Sequence, residues 1–262
     1  MMTKALFLGA GASPGVPSLS NGWGACNPQN IKNCRRRTST LYEIKGVKIL
    51  IDTSPDLRMQ LLDNHIVDLD AICYTHAHSD HLYGIDELRE INRITCKPLD
   101  VFATDVTMKE IKRRFSYLLL DKEQEDFYLS RPGLMPHIIK PNHEFYVKGI
   151  KIMPLKLLGH NMPSFGYILN DEIVHIADFK RLANSAIEQI AKIKPKLMVL
   201  PLTIIEQHKY HIGLQEALEY IAEFKPDKAV LNHMASECDY DYVNMHTPEN
   251  VQPAYDNLKV EW

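Results

Sequence analysis

The chain has few cysteines, no long apolar run, no strong net charge and no internal repeat, and each absence removes a class of explanation. Its five cysteines, Cys26, Cys34, Cys73, Cys96 and Cys238, are odd in number and irregular in spacing. They do not read as a disulfide framework, which a chain of 262 residues does not need, and they point to a reducing, cytoplasmic setting. The most apolar stretch, Leu197 to Ile205, is interrupted by Pro201 and falls far short of the ~20 residues that cross a bilayer, so no membrane partner is expected. With 30 basic and 33 acidic residues the formal net charge is −3, too little to draw the protein onto nucleic acid or an anionic surface as a whole. A long nucleic acid is therefore not the expected partner.

What the chain does have is an ordinary core. Hydrophobic residues make up 45% and charged residues 24%, enough apolar matter to fold a unit of this length as one α/β domain spanning residues 1–262. Lys4 and the short run Ala5 to Leu8, closed by Gly9 and Gly11, read as a first strand and turn rather than a leader. Thr38 to Ile44 and Val47 to Ile51 form a hairpin turning at Lys45-Gly46, and a helix after Pro55 carries Leu57, Leu61 and Leu62 inward. Ala71 to Tyr74 is a short buried strand, and a helix from Ile85 aligns Ile91 and Ile94. Hairpins recur over His143 to Leu157 and Phe165 to Ile176. Helices at Ala183 to Ile193 and Leu214 to Phe224 then alternate with strands at Leu197 to Leu200 and Ala229 to Leu231. Hairpins followed by strand–helix units, occurring twice, predict two mixed sheets packed together with helices outside. The segment Phe115 to Arg131 fits neither pattern and reads as a lid or a surface excursion.

The chemistry concentrates in Thr75-His76-Ala77-His78-Ser79-Asp80-His81, three imidazoles and a carboxylate in six residues directly after a buried strand. Borderline metals such as zinc, and also manganese or iron, accept this mixture of nitrogen and oxygen donors, and a loop at a strand end can fan the side chains apart. Asp52, His160, Asp178 and His233 each stand at or just past the end of another predicted strand. Any one of these histidines is most simply a packed or surface residue; the set, gathered around an H-x-H-x-D-H core, is not. His65, His137, His143, His175, His208 and His246 keep the simpler reading.

At this point the sequence resembles a known family, the metallo-β-lactamase-fold hydrolases, and within it the PhnP-type cyclic phosphodiesterases. The likeness rests on GAGASPGVPSL near the start, RRRTS, IDTSPDLR, THAHSDH, the LGH and ADF segments, HIGLQEAL, LNHM and the closing VQPAYDNLKVE. It implies a four-layer αββα sandwich with two metals at one edge of the sheets. By the same resemblance His76, His78 and His160 hold one ion, Asp80, His81 and His233 the other, and Asp178 bridges them. Asp52 becomes a carboxylate behind a ligand imidazole, and His211 the catalytic acid that acts beside Asp80. The PhnP pattern also has a structural zinc bound by clustered early cysteines and a late histidine. Here only Cys26 and Cys34 are near the first position and Ser236 stands at the second, so that zinc is not expected and the loop is expected to hold by packing.

Charge counting narrows the substrate. Two divalent ions bring four positive charges; Asp80 and Asp178 remove two and a bridging hydroxide one, which leaves about one, matched by a phosphodiester monoanion. The residues alone allow a thioester or lactam as well; the family resemblance implies hydrolysis of a small nucleotide or cyclic phosphodiester, with zinc or manganese as cofactor and a homodimer left open. A thiolester hydrolase of glyoxalase II type and an RNA-processing nuclease share the same ligand motif and stay as alternatives. Arg35-Arg36-Arg37 reads as a solvated charged run, with phosphate binding as its other reading, and Trp23 as a loop anchor or a base-stacking platform.

Overall fold

Side chains that alternate along the first strands face two different apolar layers, and this parity sets the architecture. The computed structural model describes residues 2–120 and 133–262. The strands of the first half are β1 (Lys4–Gly9), β2 (Ser39–Ile44), β3 (Val47–Ile51), β4 (Ala71–Cys73), β5 (Leu99–Thr104) and β6 (Leu134–Ile139). Those that follow are β7 (Phe145–Val147), β8 (Ile150–Leu158), β9 (Phe165–Leu169), β10 (Ile173–His175), β11 (Arg181–Leu182), β12 (Leu197–Pro201), β13 (Lys228–Asn232), β14 (Val251–Pro253) and β15 (Leu258–Glu261). One sheet runs β15-β1-β2-β3-β4-β5-β6 and the other β11-β8-β9-β10-β12-β13-β14, with β7 paired to β8.

Ala5 and Phe7 of β1, Tyr42 and Ile44 of β2, and Ile49 and Ile51 of β3 point into the layer shared with the second sheet, where they meet Ile152, Tyr167, Leu169 and Val174. Their neighbours Leu8, Leu41 and Leu50 point the other way. On that outer face lie α1 (Leu57–Asp63), the short α2 (Ser79–Leu82), α3 (Leu88–Thr95) and α4 (Asp105–Phe115). Helices α5 (Asn184–Ile190) and α6 (Leu214–Phe224) cover the second sheet, and α7 (Tyr240–Met245) joins β13 to β14. In α6 the buried residues Leu214, Ala217, Ile221 and Phe224 follow the three-and-four spacing of one helical face. The result is the αββα sandwich that the sequence implied.

Two helix faces differ from expectation. Leu62 is 54% exposed and Ile94 58% exposed, while Gln60 is fully buried. The Gln60 amide satisfies itself by accepting from Ser54 Oγ and donating to the Arg37 carbonyl, so a polar residue takes the inward position on α1. The segment 115–131 closes α4 and makes a 3-10 turn at Ser116–Leu118; the part from residue 121 onward lies outside the described residues.

Each sheet joins an antiparallel half to a parallel half. Strands β3 to β6 are parallel, as are β10, β12, β13 and β14. Open sheets of this kind bind ligands beyond the carboxyl ends of their parallel strands, where the loops diverge. Here the ends of β3, β4, β10 and β13 lead straight into Asp52, Thr75-His76, Asp178 and His233.

A buried polar link joins the two sheets where Tyr42 Oη of β2 lies 2.8 Å from His175 Nδ1 of β10. Burial pushes His175 down to about 3, with His81 adding to the shift, so the imidazole stays neutral and suits Tyr42 as donor. An unfolded histidine titrates near 6.5. Below that pH the unfolded chain takes up a proton that the folded chain refuses, so stability present above pH 6.5 is lost as pH falls toward 3. The slope is about 1.4 kcal/mol per pH unit. In urea melts across this window, His175→Gln should lose stability less steeply than the parent. Parallel slopes would show that His175 does not govern the acid limb.

Candidate active site

The strand β4 ends at Cys73 and the chain turns through Thr75 to Ala77 before the single turn of α2, which faces Asp80 and His81 inward. This short reversal lets four donors from six residues approach one volume. Two backbone positions are unusual: Asp52, just past β3, and His233, just past β13, sit at φ 61° and 57°. Left-handed backbone at such residues costs energy that packing must supply, and it re-aims both side chains toward the sheet edge. Gly159, at φ 84°, turns the chain ahead of His160; a Cβ there would come within 2.6 Å of the Lys180 Cβ.

Two adjacent donor sets result. His76, His78, His160 and Asp178 form one, and Asp80, His81 and His233 the other. In the first, His78 Nδ1 lies 3.1 Å from both His76 Nε2 and His160 Nε2. In the second, His233 Nε2 is 3.3 Å from both His81 Nε2 and Asp80 Oδ2. Asp178 stands between them. Its Oδ2 is 3.9 Å from His160, 4.0 Å from His76 and 3.8 Å from His81, and its Oδ1 is 3.4 Å from His233 Nδ1.

The hydrogen bonds behind these atoms fix which nitrogen faces the site. Asp52, 2% exposed, accepts from the Thr75 backbone N–H at 2.8 Å, the Thr75 hydroxyl at 2.7 Å and His81 Nδ1 at 2.6 Å. The Thr75 oxygen, having given its proton to Asp52, can accept from His76 Nδ1 at 3.0 Å. One carboxylate thereby sets the tautomer of two imidazoles and leaves the Nε2 lone pairs of His76 and His81 directed at the donor sets.

Charge follows the same plan. Burial lowers His76 well below the ordinary imidazole range, His81 reinforcing it, and burial takes His160 down to about 4. Burial also acts against a charged His81, but Asp80, Asp52 and Asp178 outweigh it and raise this group to about 10. For Asp80 and Asp178 burial opposes ionisation, yet the neighbouring histidines, His81 foremost for Asp80 and His233 for Asp178, hold both carboxyls well below the usual range. Ionised carboxylates that draw positive charge strongly enough to raise His81, set among the imidazoles of His76, His78 and His160 that burial keeps unprotonated, fit divalent metal, which would take the place of the His81 proton. The buried Asp178 Oδ1 and His160 Nδ1, which have no hydrogen-bond partner among the described residues, fit it as well.

His211 approaches from the loop between β12 and α6. Its ring centroid is 5.3 Å from that of His160, and Lys180, paired with Glu216 at 2.5 Å, reaches its carbonyl. Burial lowers the His211 pKa, with Asp178 acting in the opposite direction. Two contacts were not legible in the sequence. Thr203 Oγ1 lies 3.1 Å from His233 Nδ1 and 3.4 Å from His211 Nδ1, linking a donor of the cluster to His211. His208, read from sequence as a packed or surface residue without a functional role, stacks on His211 with centroids 5.5 Å apart. Thr203 and the preceding Leu202 are placed by backbone bonds to Ala235 and Asn232, at and just past the end of β13, which no local pattern marks.

A cavity of about 460 Å³ opens over the cluster, lined by His78, Asp80, His160, Asp178, His211 and His233 together with Thr203, Asn161 and the loops 12–21 and 235–237. Neither Trp23 nor any of Arg35, Arg36 and Arg37 lines it. The solvated-run reading of the arginines is wrong for Arg35, which is 2% exposed. Its guanidinium bonds Asn33 Oδ1 at 2.9 Å and the carbonyl of Cys238 at 2.8 Å, and it approaches Cys26 Sγ at 3.7 Å and the carbonyl of Ala235 at 3.4 Å. Arg36 pairs with Asp63 at 2.6 Å, and Arg37 grips both oxygens of Asp56 at 2.6 and 2.8 Å. The early loop is thus held by a buried cation and hydrogen bonds, not by packing alone.

Known proteins resemble this chain in fold and in sequence. A crystal structure of a diphosphatase from the PhnP family superposes with a TM-score of 0.88 at 24% identity, covering 100% of this chain and 98% of that one. The short form of human tRNase Z superposes at 0.66 with 16% identity, covering 98% of each chain. A curated relative, the octanoyltransferase of Porphyromonas gingivalis (strain ATCC BAA-308 / W83), is 29% identical over 260 residues. That match takes in 98% of this chain but 51% of the relative, so the chain spans about half the length of the curated relative it matches. The family profile of the β-lactamase superfamily domain matches residues 47–234, from the start of β3 to just past His233, and therefore takes in all seven clustered donors. On that match, and on two facing sheets that carry a His/Asp cluster at their edge, the chain belongs to the β-lactamase superfamily and has the fold of its metal-dependent hydrolases.

Proposed function

We propose that this protein is a dinuclear metal-dependent phosphodiesterase acting on a small nucleotide or cyclic phosphodiester. The observation that carries the reading is the pair of adjacent donor sets, with Asp178 between them, at the floor of a cavity that His211 also lines. His76, His78 and His160 would hold one ion, Asp80, His81 and His233 the second, and the Asp178 carboxylate both. When bound there, two divalent ions offset the charge of the phosphoryl oxygens and acidify the attacking water. The chain's own groups do the rest. Asp52 keeps His76 and His81 in the tautomer that presents Nε2, and Thr203 steadies His233. As water adds to phosphorus and gives up one proton to solvent, the P–O bond to the leaving oxygen breaks and His211 gives its proton to that oxygen, so that the diester becomes a phosphomonoester and an alcohol, both on one molecule when the diester is cyclic.

Substrate size is read from the walls. Among the described residues no lysine or arginine lines the cavity, and Arg36 and Arg37 are tied up in ion pairs, which supports a small ligand over an extended RNA. The name of the curated relative supports one further reading, hydrolysis of an acyl thioester by the same ions. Parallel assays of protein reconstituted with Mn²⁺ or Zn²⁺ separate them. Turnover of bis(p-nitrophenyl) phosphate and a nucleoside 2′,3′-cyclic phosphate, with none of an acyl-glutathione, is the expected outcome. Thioester turnover with no phosphodiester turnover would overturn the proposal.

A further inference from the structure

His211 is gripped twice, at its carbonyl and at its ring. Its loop follows β12 and closes on itself where the Leu214 N–H donates to the Ile205 carbonyl at 3.0 Å. Lys180 Nζ reaches the His211 carbonyl at 3.4 Å and pairs with Glu216, whose second oxygen accepts from the Gly213 N–H at 2.9 Å. The backbone of His211 is thereby tied to the first turn of α6. The ring is held separately. His160 meets it edge-on, His208 stacks on it with an interplanar angle of 26°, and Thr203 Oγ1 stands 3.4 Å from Nδ1.

Thr203 is itself fixed. Its carbonyl accepts from the Ala235 N–H at 3.3 Å, and the residue before it, Leu202, donates to the Asn232 carbonyl at 2.7 Å. Its hydroxyl also lies 3.1 Å from His233 Nδ1. With His233 Nε2 turned toward Asp80 and His81 as a metal donor, Nδ1 is the nitrogen that carries the hydrogen, and Thr203 accepts there. The other acceptor near that nitrogen, Asp178 Oδ1 at 3.4 Å, belongs to a carboxylate of the donor sets.

Resting on the phosphodiesterase reading, we infer that Thr203 is a positioning residue for the proton transfer: it reserves Nδ1 of His211 and leaves Nε2 for the substrate. A threonine oxygen has two lone pairs and one proton, and His233 takes one lone pair. Toward His211 the hydroxyl donates to Nδ1 when the imidazole is neutral and accepts from Nδ1–H when it is charged. In both cases the proton available to the leaving oxygen stands on Nε2, the other nitrogen of a ring that lines the cavity. Branching at Cβ restricts the rotamer that carries the hydroxyl, so the grip is a stiff one.

Thr203→Val removes the hydroxyl and keeps the shape, while Thr203→Ser keeps the hydroxyl. In Mn²⁺-loaded protein the valine variant should retain the parent's metal content and KM, and lose about tenfold in kcat on a nucleoside 2′,3′-cyclic phosphate, the worth of one hydrogen bond. On bis(p-nitrophenyl) phosphate, whose leaving group needs little acid help, the loss should stay below about threefold. The serine variant should come within about threefold of the parent on both substrates. In a His211→Ala background, Thr203→Val should cost nothing further, because its effect travels through His211. Loss of metal, equal loss with and without His211, or a serine variant no better than valine overturns the assignment. A second readout does not depend on turnover. The His211 ring protons of Zn²⁺-loaded protein, identified by their absence in His211→Ala, should shift in the NMR spectrum of Thr203→Val and return to the parent positions in Thr203→Ser. Failure of the parent to hydrolyse either phosphodiester sinks the reaction assignment, while these signals still decide whether Thr203 places His211; unmoved signals overturn that placement.

Discussion

Asp178→Ala should lower the metal content of reconstituted protein from about two ions per chain to one or fewer, and phosphodiester turnover should fall by more than the ~10–100-fold typical of losing a partner behind a metal ligand. The expectation follows from position. Asp178 lies within 4.0 Å of donors in both sets, with separations of 3.4 to 4.0 Å to His76, His81, His160 and His233. Removing its carboxylate withdraws a ligand and a negative charge from both places at once, and leaves four imidazoles facing one another without the group that separates them. Elemental analysis after gel filtration decides the matter. Two ions still bound in Asp178→Ala would mean that the donor sets are independent, and a single ion in the parent would end the dinuclear reading.

His211→Ala should keep both ions and lose activity in proportion to the difficulty of the leaving group. General acid help is typically worth ~10²–10⁴-fold when the departing oxygen is a poor leaving group such as a ribose alkoxide. An activated p-nitrophenolate needs little of it. The variant should therefore lose most of its rate on nucleoside 2′,3′-cyclic phosphates and distinctly less on bis(p-nitrophenyl) phosphate. His211 contacts His160 through its ring and shares Thr203 with His233, so the alternative is a purely supporting role. Equal losses on both substrates with metal intact would assign His211 to holding the phosphate. Loss of metal would assign it to supporting the ligands.

The cluster was readable because its residue types have few other reasons to stand where they do. Ionisable groups at the ends of buried strands are costly to bury without a partner, so Asp52, His76, Asp178 and His233 stood out against the apolar runs ahead of them. Residues whose role depends on a distant partner were opaque. Arg35 looks like its neighbours Arg36 and Arg37 in sequence, and only the carbonyls of Ala235 and Cys238, some 200 residues on, make it an internal residue. Thr203 is equally unmarked, since a hydroxyl in a loop is ordinary until the fold shows that it faces His233 and His211. The same holds for Leu62 and Ile94: helical spacing finds an apolar stripe, but where the sheet lies against the helix decides which edge of the stripe is covered. Strands β5, β6, β14 and β15 went unread because their pairing partners, not their own short patterns, define them.

The guanidinium of Arg35 has a consequence for a cell in which metal is scarce. It braces the turn at Ala235–Cys238 and the early loop through bonds to Asn33 and to the carbonyls of Ala235 and Cys238 that no chelator removes. Starved of metal, the protein would forfeit its reactive centre while keeping the outline of its cavity wall. Restored supply would then need only to refill a mould that is already set, so recovery of activity should be paced by ion delivery and not by any rebuilding of the mouth.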